Sequence, residues 1–354
     1  MLNEKILHIE NFGKMRKADI DLQDFILFVG DNNSGKTTVM QLIYGFYDYV
    51  IHFHCDYRSE KKDLKTALDY FNQCLESDKN KIVEKTFHHK INIDKLWLEI
   101  DLEVIDCNYH SLKEMLLSIF HLSKESLYIP SSGVGLLYKE NTKPIDDYLR
   151  YLQKWSLNLQ ICDKNKELLD FFEKRLIEGR YVKENQLTYV PNGTESHIPM
   201  QLTSSMICKL IPYYYYITSH KYTSANCLMI EEAESCLHPS KQMELVQFFI
   251  KLNNDGKRII MSTHSDSMAS KINNMVILAN KVYSRKKEYL EKLGLTYSDL
   301  FDNFYIKVYS FSNKGTYSVV NKVEYDNRLG FSFEQFEDSF SKLYKEASII
   351  INSK

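Results

Sequence analysis

Hydrophobic and polar positions along this chain follow two rhythms. Alternation of period two marks Ala18-Asp-Ile-Asp-Leu22 and Leu96-Trp-Leu-Glu-Ile-Asp-Leu-Glu-Val104, which predicts strands. A further short strand precedes the first of these, across a turn at Asn11 to Gly13. Unbroken apolar runs at 25–29, 227–230 and 259–261 predict strands covered on both faces. Helical spacing covers 61–84 and 145–177, and a helix-like run ends in four tyrosines, Tyr213 to Tyr216. An alternating pair is predicted around the turn Ser312-Asn-Lys-Gly315, with a closing helix over 333–347. No heptad pattern is sustained, so no long coiled-coil arm is expected.

The run at 25–29 leads into Gly30-Asp-Asn-Asn-Ser-Gly-Lys-Thr-Thr38, and a helical pattern follows. Strand, G-x-x-x-x-G-K-T loop and helix is the P-loop order. Gly30 and Gly35 permit backbone angles closed to other residues, so the N–H groups across Asn32, Asn33 and Ser34 can turn toward phosphate oxygens. The positive end of the helix through Thr37 and Thr38 adds to that attraction. Lys36 is placed to reach the outer phosphates of ATP, and the Thr37 hydroxyl can ligate Mg²⁺. Glu231 and Glu232 close the second apolar run. Neighbours on a strand point to opposite sides, so one carboxylate can serve the metal and the other an attacking water. The third run ends in Ser262-Thr-His-Ser265, where His264 is expected to approach the γ-phosphate, because polar groups gather where parallel strands end.

Composition narrows the class. A net charge of −2 argues against a strongly basic nucleic-acid binder; local patches leave DNA contact open but not strongly indicated. The basic stretch Lys79, Lys81, Lys85, His88, His89 and Lys90 reads as a solvated face. Seven cysteines without C-x-x-C pairs predict reduced thiols in the cytoplasm. No run is apolar for the length a membrane span needs. His52-Phe-His-Cys55 has ligand-type side chains but no second cluster at metal spacing, so it reads as structural.

Taken together, Leu7-His-Ile-Glu-Asn-Phe-Gly13, the 30–38 loop, Ile230-Glu-Glu-Ala-Glu-Ser-Cys-Leu-His-Pro239 and Ser262-Thr-His-Ser-Asp266 resemble the ABC-type ATPase heads of the overcoming-lysogenization-defect and SMC-like group. They resemble most the ATPase subunits of bacterial anti-phage systems of the Septu, Gabija and PARIS type. Tyr128-Ile-Pro-Ser-Ser-Gly-Val-Gly-Leu-Leu137 is similar to a segment of those proteins. The resemblance implies an α/β fold: a P-loop NTPase of ABC-ATPase type, with a mixed-sheet head from 1–49 and 196–354 and a mostly helical insertion or lid over 50–195. It gives Glu231 the metal-supporting role, Glu232 the catalytic base and His264 the γ-phosphate switch. It matches Leu202-Thr-Ser-Ser-Met206 to a signature loop, so that Ser204 and Ser205 would close over ATP held by a second subunit in a head-to-tail homodimer. Met206 stands where such loops usually carry glycine, and Ala233 where proline is usual; both point to slow turnover. The function implied is a sensor or regulatory scaffold acting on a separate effector, a nuclease or toxin. The alternatives are a DNA-repair head working directly on DNA, or a pseudo-ATPase using ATP as dimer glue.

Overall fold

The computed structural model describes residues 4–53, 64–101, 111–122, 125–131, 142–155, 165–183, 186–219, 221–281, 283–302, 305–333, 346 and 348. The first elements are β1 (Lys5–Phe12), β2 (Met15–Asp21), β3 (Phe25–Gly30) and α1 (Lys36–His52), in the order the hydrophobic pattern predicts. Then come α2 (Leu64–Phe87), β4 (Lys95–Ile100), α3 (Leu112–Ile119), β5 (Glu125–Ile129), α4 (Lys143–Trp155) and α5 (Lys166–Phe171), which runs on into a π-helical turn. A small antiparallel sheet follows, of β6 (Gly179–Lys183), β7 (Leu187–Pro191) and β8 (Ile198–Pro199). The rest is α6 (Ser205–Thr218), α7 (Lys221–Ser224), β9 (Ala225–Ile230), α8 (Pro239–Asn254), β10 (Arg258–Thr263), α9 (Asp266–Ala279), α10 (Tyr283–Leu293), β11 (Ile306–Asn313) and β12 (Ser318–Val323). The short pair β13 (Tyr325–Asp326) and β14 (Gly330–Phe331) comes last.

Nine strands make one sheet in the order β4-β1-β2-β12-β11-β3-β10-β9-β5. The five from β11 to β5 run parallel, while β11–β12, β2–β1 and β1–β4 are antiparallel. This is the mixed α/β sheet expected. Side chains of β3 alternate between its faces: Phe25, Leu27 and Val29 join one core, Ile26 and Phe28 the other. The first core is closed by α6, α8 and α9, and the second by α1, α2 and α3.

Two strands of this sheet come from the 50–195 segment. β4 pairs with β1 at one edge and β5 with β9 at the other, so that segment supplies both borders of the head as well as helices. The helical stretch expected over 145–177 divides into α4 and α5 with its π-turn, and 156–164 lie outside the described residues. So do His54 and Cys55, and nearly all of the closing helix expected over 333–347. At the β4 edge, α2 caps backbone groups that no strand takes among the described residues. Asn72 accepts from Leu98 N at 2.9 Å and donates to Leu98 O at 2.8 Å, and Glu76 accepts from Leu96 N at 3.2 Å. Side chains there do the work of a tenth strand and blunt an open edge.

Helix α1 meets α2 through Gly45, where a Cβ would collide with the buried Thr86 hydroxyl. That hydroxyl already donates to Ile82 O at 2.7 Å. Gly45→Ala would gain about 1 kcal/mol of helix propensity, but overpacking a buried contact costs about 1–3 kcal/mol. Net destabilisation is expected in urea unfolding, and adding Thr86→Ala should recover most of it. A single mutant more stable than the parent would refute this account of the α1–α2 contact.

Candidate functional site

The parallel strands end in register. Val29 lies beside Thr263 in the β3–β10 pairing, and Ile230 beside Met261 in the β9–β10 pairing. Whatever follows these three strands is delivered to one edge of the sheet: the 30–38 loop, Glu231 to Glu234, and His264.

At the first strand end, Gly30 has φ 131° and a Cβ there would overlap the carbonyl of Phe311, so no side chain fits. Gly35, at φ 97°, is the N-cap of α1, with open space where its side chain would be. Asn33 is also left-handed, at φ 55°. Ser34 is buried and donates to Asp31 O at 2.6 Å, pulling the loop into a ring. Lys36 points back into that ring and donates to Gly30 O at 2.9 Å and Asp31 O at 2.7 Å. Burial pulls its ammonium down to about 8, against the opposing pull of Glu232, Asp31 and Glu234. Asn32, Asn33 and Thr37 are exposed, and Thr38 is half-buried. A loop open above Gly35, with a buried ammonium held only by backbone carbonyls, fits a phosphate chain.

At the second, Glu231 is buried and its N–H donates to Ile129 O at 2.9 Å. The Tyr128 hydroxyl donates to its carboxylate, Ser131 N approaches Oε2 at 3.4 Å, and the Thr37 hydroxyl is near enough to favour the ionised form. Burial pushes this carboxyl above the ordinary glutamate range, while Tyr128, Thr37 and Ser131 pull it back. A carboxylate sharing a contact with the P-loop threonine is an oxygen pair suited to Mg²⁺.

Glu232 is more exposed and sits at φ 42°, its N–H donating to Ser262 Oγ at 3.3 Å. Its Oε1 lies 3.7 Å from Nε2 of His264. Burial, then the Lys36 charge, hold that imidazole below its ordinary value, against Glu232, Glu234 and Asp31. It is therefore predominantly neutral at pH 7, able to donate one hydrogen bond and accept another. The backbone N–H of His264 donates to Glu234 Oε1 at 2.6 Å, which fixes the turn that carries the imidazole.

The structure thus gathers Lys36, Thr37, Glu231, Glu232 and His264 at one sheet edge. Ser204 and Ser205 stand apart from that group, exposed at the start of α6, where Ser204 accepts from Ile207 N at 3.4 Å. Among the described residues neither hydrogen-bonds to the P-loop. Met206, in the first turn of α6, is half-buried and packed against the core. Sequence reasoning assigned no role to Tyr128, Ser131, Glu234 or Lys209. Tyr128 and Ser131 lay in the quoted 128–137 segment and Glu234 in the 230–239 segment, while Lys209 carried no signal. A cavity of about 300 Å³ between α1, α4 and β5 is lined by Asp48, Lys143, Asp147 and Arg150, which pair with one another; the phosphate-type loop is not part of it.

A phosphate-cradling loop, a metal-type carboxylate and a water-facing acid at the ends of parallel strands define a P-loop ATPase. The family of AAA ATPase domains matches residues 5–175 and 110–269, together well over half of the chain, and the protein belongs to that family. No curated protein matches. Among solved structures, the SMC head domain from Thermotoga maritima is 11% identical, with 92% of this chain and 100% of that chain covered at TM-score 0.46. The SmcHead bound to the C-winged helix domain of ScpA is 13% identical, with 92% and 98% covered at 0.45. An Smc head domain with an extended coiled coil, bound to the C-terminal domain of ScpA derived from Pyrococcus furiosus, is 11% identical, with 98% and 100% covered at 0.44. At these scores and identities the likeness carries no argument about function.

The Glu231 environment has a sign that can be tested. A carboxyl raised on folding contributes stability below the ordinary glutamate value, about pH 4.3, and loses it as pH rises through the folded value. Glu231→Gln should therefore melt higher than the parent at pH 7, without nucleotide or metal, and equal to it near pH 4. A lower melting temperature at pH 7 would mean that the ionised carboxylate is well solvated there.

Proposed function

We propose that this chain binds ATP with Mg²⁺ and hydrolyses it slowly, as one half of a head-to-tail homodimer of ABC type. The observation that carries this is the convergence of Lys36, Thr37, Glu231, Glu232 and His264 on one edge of the sheet. Lys36 exchanges its two carbonyl partners for phosphate oxygens, aided by the N–H groups between Gly30 and Thr38. Thr37 and Glu231 hold Mg²⁺, which neutralises phosphate charge when bound. Glu232 takes the proton of the attacking water, and His264, its imidazole neutral and its backbone N–H tied to Glu234, orients against the terminal phosphate. Ser204 and Ser205, exposed on α6, reach the nucleotide of the partner.

The wider role is that of a sensor and regulatory scaffold in a prokaryotic anti-phage system, with the toxic activity in a separate effector protein. It is supported by the resemblance of segments 30–38, 230–239 and 262–266 to the ATPase subunits of such systems. The paired acids Glu231 and Glu232 are taken by the ATP site in this reading. The chain itself therefore leaves DNA intact.

In calorimetry, Lys36→Ala should lose ATP binding, whereas Glu232→Gln should keep it and lose turnover. Unchanged ATP affinity in Lys36→Ala would sink the phosphate assignment. Mixing Lys36→Ala with Ser205→Arg chains should restore part of the hydrolysis through one intact composite site. No recovery, with subunit exchange confirmed by labelling, would remove Ser205 from the partner's site. Purified chain given ATP, Mg²⁺ or Mn²⁺ and phage DNA should cut nothing; cleavage that disappears on mutating its own acids would overturn the separate effector.

A further inference from the structure

Lys209 lies one turn into α6 from the exposed pair Ser204 and Ser205, and backbone bonding makes that first turn rigid, with Cys208 N donating to Ser204 O at 3.2 Å. Its side chain runs the other way, to the segment after β5. Nζ donates to Ser131 O at 2.6 Å and Pro130 O at 3.3 Å. The same three-residue segment holds Glu231 from two sides: Ile129 O accepts the Glu231 N–H at 2.9 Å, and Ser131 N approaches its Oε2 at 3.4 Å. One ammonium therefore joins the start of α6 to the loop that positions the metal-type carboxylate.

We propose that Lys209 is a positioning residue that couples engagement of Ser204 and Ser205 by a second subunit to the set of Glu231, and so to Mg²⁺ affinity. The proposal rests on the ATP-site reading given above. Displacing the start of α6 drags the Pro130–Ser131 carbonyls through Lys209, and the Ser131 N–H moves with them toward or away from Glu231. A second arrangement is at hand. Cys236, Glu232, Glu234 and Glu231 all act electrostatically on the ammonium, and Glu234 Oε2 is buried without a hydrogen-bond partner among the described residues. Released from the carbonyls, Lys209 has that oxygen to take. Coupling between two sites needs an element with two discrete arrangements that both sites bias.

The test uses the full chain and reads binding, not turnover. ATP affinity is measured in EDTA by calorimetry, Mg²⁺ is then titrated into the protein–ATP complex, and dimerisation is followed by sedimentation. Lys209→Met should bind ATP in EDTA within about twofold of the parent and need about tenfold more Mg²⁺ for half-saturation, the low end for losing an outer-shell partner. Lys209→Arg should recover most of the Mg²⁺ affinity. In a Ser205→Arg chain, which should not dimerise, the Mg²⁺ requirement should already be raised, and adding Lys209→Met should change it by less than about twofold, since coupled sites are non-additive. Independent, additive effects, or an unchanged Mg²⁺ titration in Lys209→Met, would overturn the coupling while leaving the ATP site standing. Should Lys209→Met fail to fold, Lys209→Gln takes its place; parent-like Mg²⁺ binding in that variant would reduce Lys209 to a stabilising contact. A parent chain that binds no ATP would instead remove the site reading itself.

Discussion

Everything at the site depends on three parallel strands that stop within two residues of one another. The pairings of β9 with β10 and of β10 with β3 bury residues on both faces, and Phe25, Ile26, Leu27 and Phe28 have no exposure at all. A slip of one residue would swap the two cores face for face, so register is tightly held. Because the register is held, Gly30, Glu231 and His264 arrive at one edge without any further device. The polar groups gather there for a simple reason: it is where buried strands give out and unpaired backbone N–H groups begin.

That edge is electrostatically loaded before any ligand arrives. Glu232 and Glu234 act on both Lys36 and Lys209, with Asp31 adding to the first and Glu231 to the second. Neither ammonium donates a hydrogen bond to a carboxylate among the described residues; each is held by backbone carbonyls instead. Carbonyls satisfy the donors without neutralising the charge. The arrangement keeps Lys36 available for an anion and the acids available for a cation, and burial moves Lys36 and Glu231 toward their neutral forms. Stability is surrendered at the site in favour of binding, a trade that functional clusters commonly show.

The parts legible in the sequence are those whose signal is local. The Gly30 to Thr38 spacing, the order β1, β2, β3 and α1, and the acids closing β9 are each written within a few residues. What was not legible depends on pairing between distant segments. That β5 borders the head beside β9 is a contact across about a hundred residues, and it alone brings the Tyr128 hydroxyl and Ser131 N–H to Glu231. Lys209 looks like any helical lysine until β5 supplies two carbonyls. The packing of Met206 against the core under α6 depends likewise on distant segments. Glu234 is a third acid in a row of polar residues, and only the turn shows that it holds the backbone of His264.

Backbone strain adds a last step. Glu232 and Cys236 are both left-handed, at φ 42° and 66°, within five residues of one turn. Each such residue costs of order 1 kcal/mol, so the surroundings must impose the shape. Ser262 accepts the Glu232 N–H, Ser235 donates to Glu232 O at 2.6 Å, and Ala233 is wholly buried beneath them. A β-region Glu232 would simply continue the strand, with its side chain directed by the pleat. The left-handed twist just after β9 turns the chain, so two adjacent carboxylates part company: one stays beside the sheet against Tyr128, the other goes out beside His264. Two chemically identical side chains thereby acquire different burial and different neighbours. That difference suits one to a metal and the other to a proton, as the proposed mechanism requires.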